Sequence, residues 1–181
     1  FKKNDEKFRK NCLSLLKEED TLVLVGDHSW GRKLAECEQD FQYLRDLPGR
    51  KILIRGNHDH FWDVKKTGKL NGLYQPELTF LQDSFEVYQD YAIVGSKGFT
   101  FEGPFYLNRR GQIIGWDEQE AEHAAMLVQR ELERLRTSFE LAKAAGHQKF
   151  IMFLHYPPTS ILEEESGFTR MAEEYGTEHV I

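Results

Sequence analysis

The stretch Ile52-Leu53-Ile54-Arg55-Gly56-Asn57-His58-Asp59 decides how this chain reads. Lys51 to Ile54 form a short apolar run entered after the turn pair Pro48-Gly49, which is the pattern of a buried strand. The run breaks at Gly56 and delivers Asn57, His58 and Asp59 in succession at its C-terminal end. Open α/β sheets bind their ligands outside the carboxyl ends of the strands. An amide oxygen, an imidazole and a carboxylate placed there can serve as a metal ligand, a proton donor or base, and a group that orients it.

Upstream, Thr21 to Val25 is apolar and β-branched with no polar alternation, so a strand buried on both faces is expected. It ends in Gly26-Asp27-His28-Ser29-Trp30-Gly31. Leu34, Cys37, Phe41 and Leu44 mark a helix between the two strands. Phe1, Phe8, Cys12 and Leu15 mark an earlier helix, which Glu18-Glu19-Asp20 ends. Strand, loop, helix, strand, with polar residues at both strand ends, predicts parallel strands joined by a crossover.

Downstream, the stretch from Trp62 to Gly72 reads as helix or loop, and Phe85 to Tyr88 with Tyr91 to Gly95 as a hairpin. Residues 96 to 116 gather glycines with Phe99, Phe101, Phe105, Tyr106 and Trp116, the composition of a long loop acting as a lid or binding wall. Ala121, Ala125, Val128, Leu132, Leu135, Phe139 and Ala142 predict a helix from Glu118 to Ala145, closed by Gly146. Packing on a sheet is favoured over a dimer seam, because its short, Ala-rich heptads are thin for a coiled coil. Lys149 to Leu154 predicts another buried strand, ending at His155-Tyr156-Pro157-Pro158. A short helix around Phe168 to Tyr175 and a strand near His179 follow.

Composition narrows the classes. The 181 residues suit one domain, and 40% hydrophobic with 30% charged residues describe an ordinary globular protein. A net charge of −6 argues against broad nucleic-acid or anionic-membrane binding, which want basic faces. No apolar run approaches the ~20 residues of a membrane span. Two cysteines, Cys12 and Cys37, each on a helical apolar face, are expected to be reduced core thiols in a cytoplasmic protein. There is no Gly-x-Gly-x-x-Gly, no P-loop and no Gly-x-Ser-x-Gly elbow. The adjacent Asp27, His28 and Ser29 cannot reach one another as a hydrolytic triad.

Three strand ends therefore carry the chemistry: Asp27, Asn57-His58-Asp59 and His155, expected at one edge of a sheet and converging on one site. Asp27 can bridge two cations, Asn57 offers a neutral oxygen and His155 a nitrogen, a mixed set that suits manganese, iron or zinc better than calcium. Two metals ~3.5–4 Å apart clamp a phosphate and generate hydroxide from water. His58 is then placed to protonate the leaving oxygen, with Asp59 holding its ring. Arg55 reads equally as a phosphate contact or an exposed cation, and Trp30, Phe61 and Trp62 as pocket lining or packing. His28 and His60 are expected to be packed or solvent-facing.

Gly26-Asp27, Gly56-Asn57-His58-Asp59 and His155 at the end of an apolar strand resemble the central motifs of calcineurin-like metallophosphoesterases. The surrounding Gly26 to Trp30, Leu47 to Gly49, Arg55 to Asp59 with Phe61 and Trp62, and Leu154 to Pro158 are similar to one bacterial subgroup of predicted phosphohydrolases. The resemblance implies an α/β fold, a β-sandwich flanked by helices in αββα layers, housing two divalent metal ions (Mn, Fe or Zn). It implies that Asp27 bridges the metals, that Asn57 and His155 bind the second, and that His58 with Asp59 assists catalysis. The activity implied is hydrolysis of small phosphate mono- or diesters by a di-metal-activated hydroxide. The family's opening Asp-x-His and closing Gly-His-x-His motifs do not occur in the 181 residues. The chain is therefore expected to be a single metallophosphoesterase domain over 1–181, cut at both ends. A catalytically incomplete binding scaffold is the alternative.

Overall fold

The computed structural model describes residues 2–99, 105–110, 112–159 and 164–181. It divides into two compact units, Phe1–Gln82 and Asp83–Ile181.

The first unit runs α1 (Lys2–Leu15), β1 (Thr21–Val25), α2 (Leu34–Arg45), β2 (Arg50–Ile54), a 3-10 turn at Val64–Lys66, α3 (Thr67–Tyr74) and β3 (Leu78–Leu81). The strands form a parallel sheet in the order β1-β2-β3, with Thr21 beside Arg50 and Lys51 beside Leu78. Leu53 shares one apolar cluster with Cys12 of α1, Cys37, Phe41 and Leu44 of α2, Leu70 of α3 and Phe80 of β3. All three helices thus cover one face. Ile52 and Ile54, which alternation turns to the other face, are equally without exposure. The expected central strand is the central strand.

Two expectations change. β1 is half-buried along its whole length rather than buried on both faces, because among the described residues it is an edge strand of its sheet. β3 has no counterpart in the sequence reading: Leu78-Thr79-Phe80-Leu81 is too short to show a period. Its outer rim is occupied by an amide side chain. Asn71 Nδ2 donates to the Phe80 carbonyl at 3.0 Å, while Asn71 Oδ1 accepts from the Phe80 amide at 2.8 Å. The stretch read as helix or loop after Trp62 is the 3-10 turn followed by α3.

The second unit contains β4 (Glu86–Tyr88), β5 (Tyr91–Ser96), β6 (Phe105–Leu107), β7 (Ile113–Trp116), α4 (Glu118–Ala144), β8 (Lys149–Leu154), α5 (Gly167–Glu174) and β9 (His179–Val180). β4 and β5 form the expected antiparallel hairpin, and the four-stranded sheet runs β4-β5-β8-β9. Leu135, Phe139 and Ala142 of α4 pack with Phe168, Met171 and Ala172 of α5 over Ala92, Val94, Phe150 and Met152. α4 therefore packs on the sheet, as preferred, but chiefly through its second half, with Val128 of the first half partly buried against the same cluster; Met126 is exposed. Asp117 caps its start, accepting from the Gln119 and Glu120 amides. Gly146, at φ 94°, ends it as the sequence suggested: His147 N donates to Ala142 O and Gly146 N to Lys143 O, a Schellman pair.

The region 96–116, expected to be one long loop, includes the two-stranded antiparallel pair β6–β7. Phe101 lies outside the described residues. A larger correction concerns β8. It pairs with β5, not with β1 or β3, so His155 follows a strand of a different sheet from Asp27 and Asn57. The hairpin between Glu86 and Ser96 starts a new sheet, and β8 joins it in parallel. No helix among the described residues is long and apolar enough to cross a membrane.

Candidate functional site

Parallel pairing puts the ends of β1 and β2 side by side, so Gly26-Asp27 and Gly56-Asn57-His58-Asp59 meet at one sheet edge. The chain turns sharply after β1. Gly26 has φ 97° and Asp27 φ 58°, a left-handed conformation that costs a non-glycine residue about 1 kcal/mol or more. Asp27 Oδ1 accepts the His58 amide at 2.9 Å, fastening the first loop to the second. Gly56 has to be glycine for the same reason: a Cβ there would collide with both the carboxylate and the amide of Asp27.

Asp59 is fully buried, and its carboxylate is filled by backbone donors. It accepts from the amides of Asp27 at 3.0 Å, His28 at 2.7 Å, Ser29 at 3.3 Å and Gly56 at 2.7 Å. A buried carboxylate is tolerated only when its lone pairs are satisfied, and here four N–H groups satisfy them. The Asp59 side chain thus shapes both loops. His28 is packed beside it, 2% exposed, with Nε2 3.9 Å from Asp59 Oδ2. His28 Nε2 lies 2.8 Å from the Ile54 carbonyl, which can only accept, so that nitrogen carries the proton. Ser29 Oγ donates to Asp40 of α2 at 2.5 Å and accepts the Gly31 amide at 3.2 Å, tying the loop to the helix.

The His58 ring is handled differently. Its centroid lies 4.0 Å from the ring of Trp30, with the planes 15° apart, while His60 stands edge-on at 6.1 Å. His60 is exposed. Of the aromatic residues that could line a pocket, Trp62 is core, 1% exposed, with its indole N–H on Thr67 Oγ1 at 2.9 Å. Phe61 is half-buried and packs edge-on against Phe41. Arg55 is half-buried between β2 and the loop.

In the second unit His155 is half-buried just past β8, its amide on the Ser96 carbonyl at 3.3 Å. Tyr156 N donates to Lys97 O at 3.0 Å, so the loops after β8 and β5 are bonded to each other. Glu131 of α4, 1% exposed, accepts from Ser96 Oγ at 3.0 Å and pairs with Arg134 at 2.7 Å. Ser96 Oγ in turn accepts the Gly98 amide at 3.0 Å. Sequence reasoning passed over Glu131. The available signal was a carboxylate at position i−4 from Leu135, on the apolar face of the helix.

A sequence profile described as calcineurin-like phosphoesterase matches residues 3–181. The chain belongs to the calcineurin-like phosphoesterase family. Its α/β architecture, sheets flanked by helices, is the calcineurin-like metallophosphoesterase fold. Among solved structures, TT1561 of Thermus thermophilus aligns at a TM-score of 0.56 and 14% identity, over 98% of this chain and 74% of that one. An identity that low bears on the fold alone. Comparison with curated proteins gives no match.

Calcineurin-like phosphoesterases usually use divalent metals, and the donor types in the first unit suit one in part. Asp27 and Asn57 bring hard oxygens to adjacent strand ends. Asp27 also lines an open cleft of about 470 Å³ with Asp5, His28, Gln39, Asp40 and Tyr43, whose three carboxylates favour a cation. Among the described residues, however, no group of three or more His, Cys, Asp or Glu side chains comes together to hold a metal ion.

Proposed function

We propose that this calcineurin-like phosphoesterase hydrolyses small phosphate monoesters or diesters with the help of two divalent ions, Mn, Fe or Zn. Asp27 and Asn57 are the metal ligands offered by the first unit, and His155 the one offered by the second. His58 is the proton donor to the leaving oxygen. The observation that carries this reading is the bond from the His58 amide to Asp27 Oδ1, which ties the intended proton donor to the intended ligand across two strand ends. Divalent metal ions, when bound, draw charge from a phosphate and lower the pKa of water. Asp59 assists by shaping the loops that carry Asp27 and His58, since its oxygens are engaged by amides.

A single family profile spanning 3–181 supports reading both units as one metallophosphoesterase domain. The free, buried thiols of Cys12 and Cys37 support a reducing compartment such as the cytoplasm.

The test is hydrolysis of p-nitrophenyl phosphate and bis-p-nitrophenyl phosphate by protein dialysed against Mn²⁺ or Zn²⁺, with metal per chain measured by elemental mass spectrometry. Asp27→Asn should reduce bound metal and rate together. His58→Ala should keep the metal and, with phenyl phosphate as substrate, lose roughly 100-fold or more in kcat, the usual contribution of general acid catalysis to a leaving oxygen that needs a proton. Full activity in both variants would overturn the proposal.

A further inference from the structure

Trp30 is 65% exposed, yet its surroundings fix it more tightly than a surface residue needs. On one side Ser29 is held by Asp59 and Asp40. On the other, Gly31 sits so close to α2 that a Cβ would lie 2.6 Å from Cys37 Sγ. The backbone flanking Trp30 is thereby clamped while its indole stands in solvent. The side chain has no core to fill. What it does touch is the His58 ring, face to face at 4.0 Å.

The need for that contact follows from what else holds His58. Its backbone is fixed by the bond to Asp27, but within the first unit no described residue hydrogen-bonds its imidazole. An imidazole on a fixed backbone still rotates about two side-chain torsions. An offset indole face removes that freedom, as aromatic stacks do. Carboxylates and carbonyls perform this service for many catalytic histidines. In this chain the carboxylate next in sequence, Asp59, is engaged by backbone amides.

We propose that Trp30 is the positioning residue for His58, holding its imidazole by stacking so that it is aligned to deliver a proton to the leaving oxygen. The proposal rests on the reading of His58 as the proton donor, and two measurements separate them. The first is independent of activity. In NMR spectra of the 181-residue protein, the His58 ring protons should be shifted upfield by the indole ring current. Trp30→Ala should move them downfield, with the remaining amide signals and the thermal midpoint unchanged, and Trp30→Phe should retain part of the shift. Identical His58 ring signals in wild type and Trp30→Ala would overturn the proposal.

The second measurement is a double-variant cycle on phenyl phosphate, whose leaving oxygen needs a proton. Trp30→Ala should lower kcat about 10- to 100-fold with KM unchanged, the scale of a small misplacement. In a His58→Ala background it should cost nothing further, because both changes remove one function. Losses that multiply in the double variant would overturn the proposal. Full activity in His58→Ala would overturn the proton-donor reading, and the ring-current shift alone would then uphold or overturn the stack.

Discussion

Replacing Asp59 by alanine would strand the amides of Asp27, His28, Ser29 and Gly56 in a buried turn at one stroke. Each unsatisfied buried donor costs about 1–3 kcal/mol, reduced where the loop can relax toward water. A loss of roughly 3 kcal/mol or more is expected in urea unfolding of Asp59→Ala. Asp59→Asn should also destabilise, because one acceptor oxygen becomes a donor facing other donors. A loss below about 0.5 kcal/mol, the usual size for a surface change, would show that the carboxylate is not what shapes the turn. At this scale the sequence was informative about residue types and silent about partners. Asn57, His58 and Asp59 could be read as a cluster at a strand end. That Asp59 would serve four amides could not be read, because hydrogen-bond geometry depends on a turn that only the assembled sheet creates.

Among the elements, the helices and strands with a clear period were legible. α2, α4 and the pair β4–β5 appear where apolar spacing put them, and β2 is central as its unbroken apolar run implied. Elements without a period were not legible. β3 has four residues, and β6–β7 lies in a glycine-rich stretch with no alternation. The assignment of β8 to a second sheet was hidden for another reason: a strand's own sequence does not name its neighbour. The half of α4 that packs should dominate the stability of its unit. Phe139 is fully buried, stacked on Tyr175 at 4.3 Å and edge-on to Phe150 at 5.2 Å. Phe139→Ala should cost about 3–5 kcal/mol, whereas Met126→Ala on the exposed half should stay within about 0.5 kcal/mol. Equal effects, read from denaturant midpoints, would refute the division of α4.

For the molecule as a whole, stability should fall in alkali. Burial raises the thiols of Cys12 and Cys37 above their ordinary value of 9.0, with Asp40 and Glu36 adding to the rise at Cys37. A group whose folded pKa is raised contributes stability that is intact below its unfolded pKa and lost as pH rises through the folded one. The phenols of Tyr43 and Tyr74, raised chiefly by burial from 10.0, act in the same direction at higher pH. Urea midpoints should therefore hold between about pH 7 and 8 and decline above pH ~9. The decline should be shallower in Cys37→Ala. A midpoint that rises above pH ~9 would contradict this assignment.

The Asn71 amide on the rim of β3 has a bearing on how the protein behaves in concentrated solution. A bare strand edge offers the alternating donors and acceptors on which a foreign strand can grow into a fibre. At Phe80 that ladder is already complete, closed by a side chain from the protein's own helix. One asparagine thus protects the rim from templating intermolecular growth, a task more often given to a lysine, a proline or a bulge.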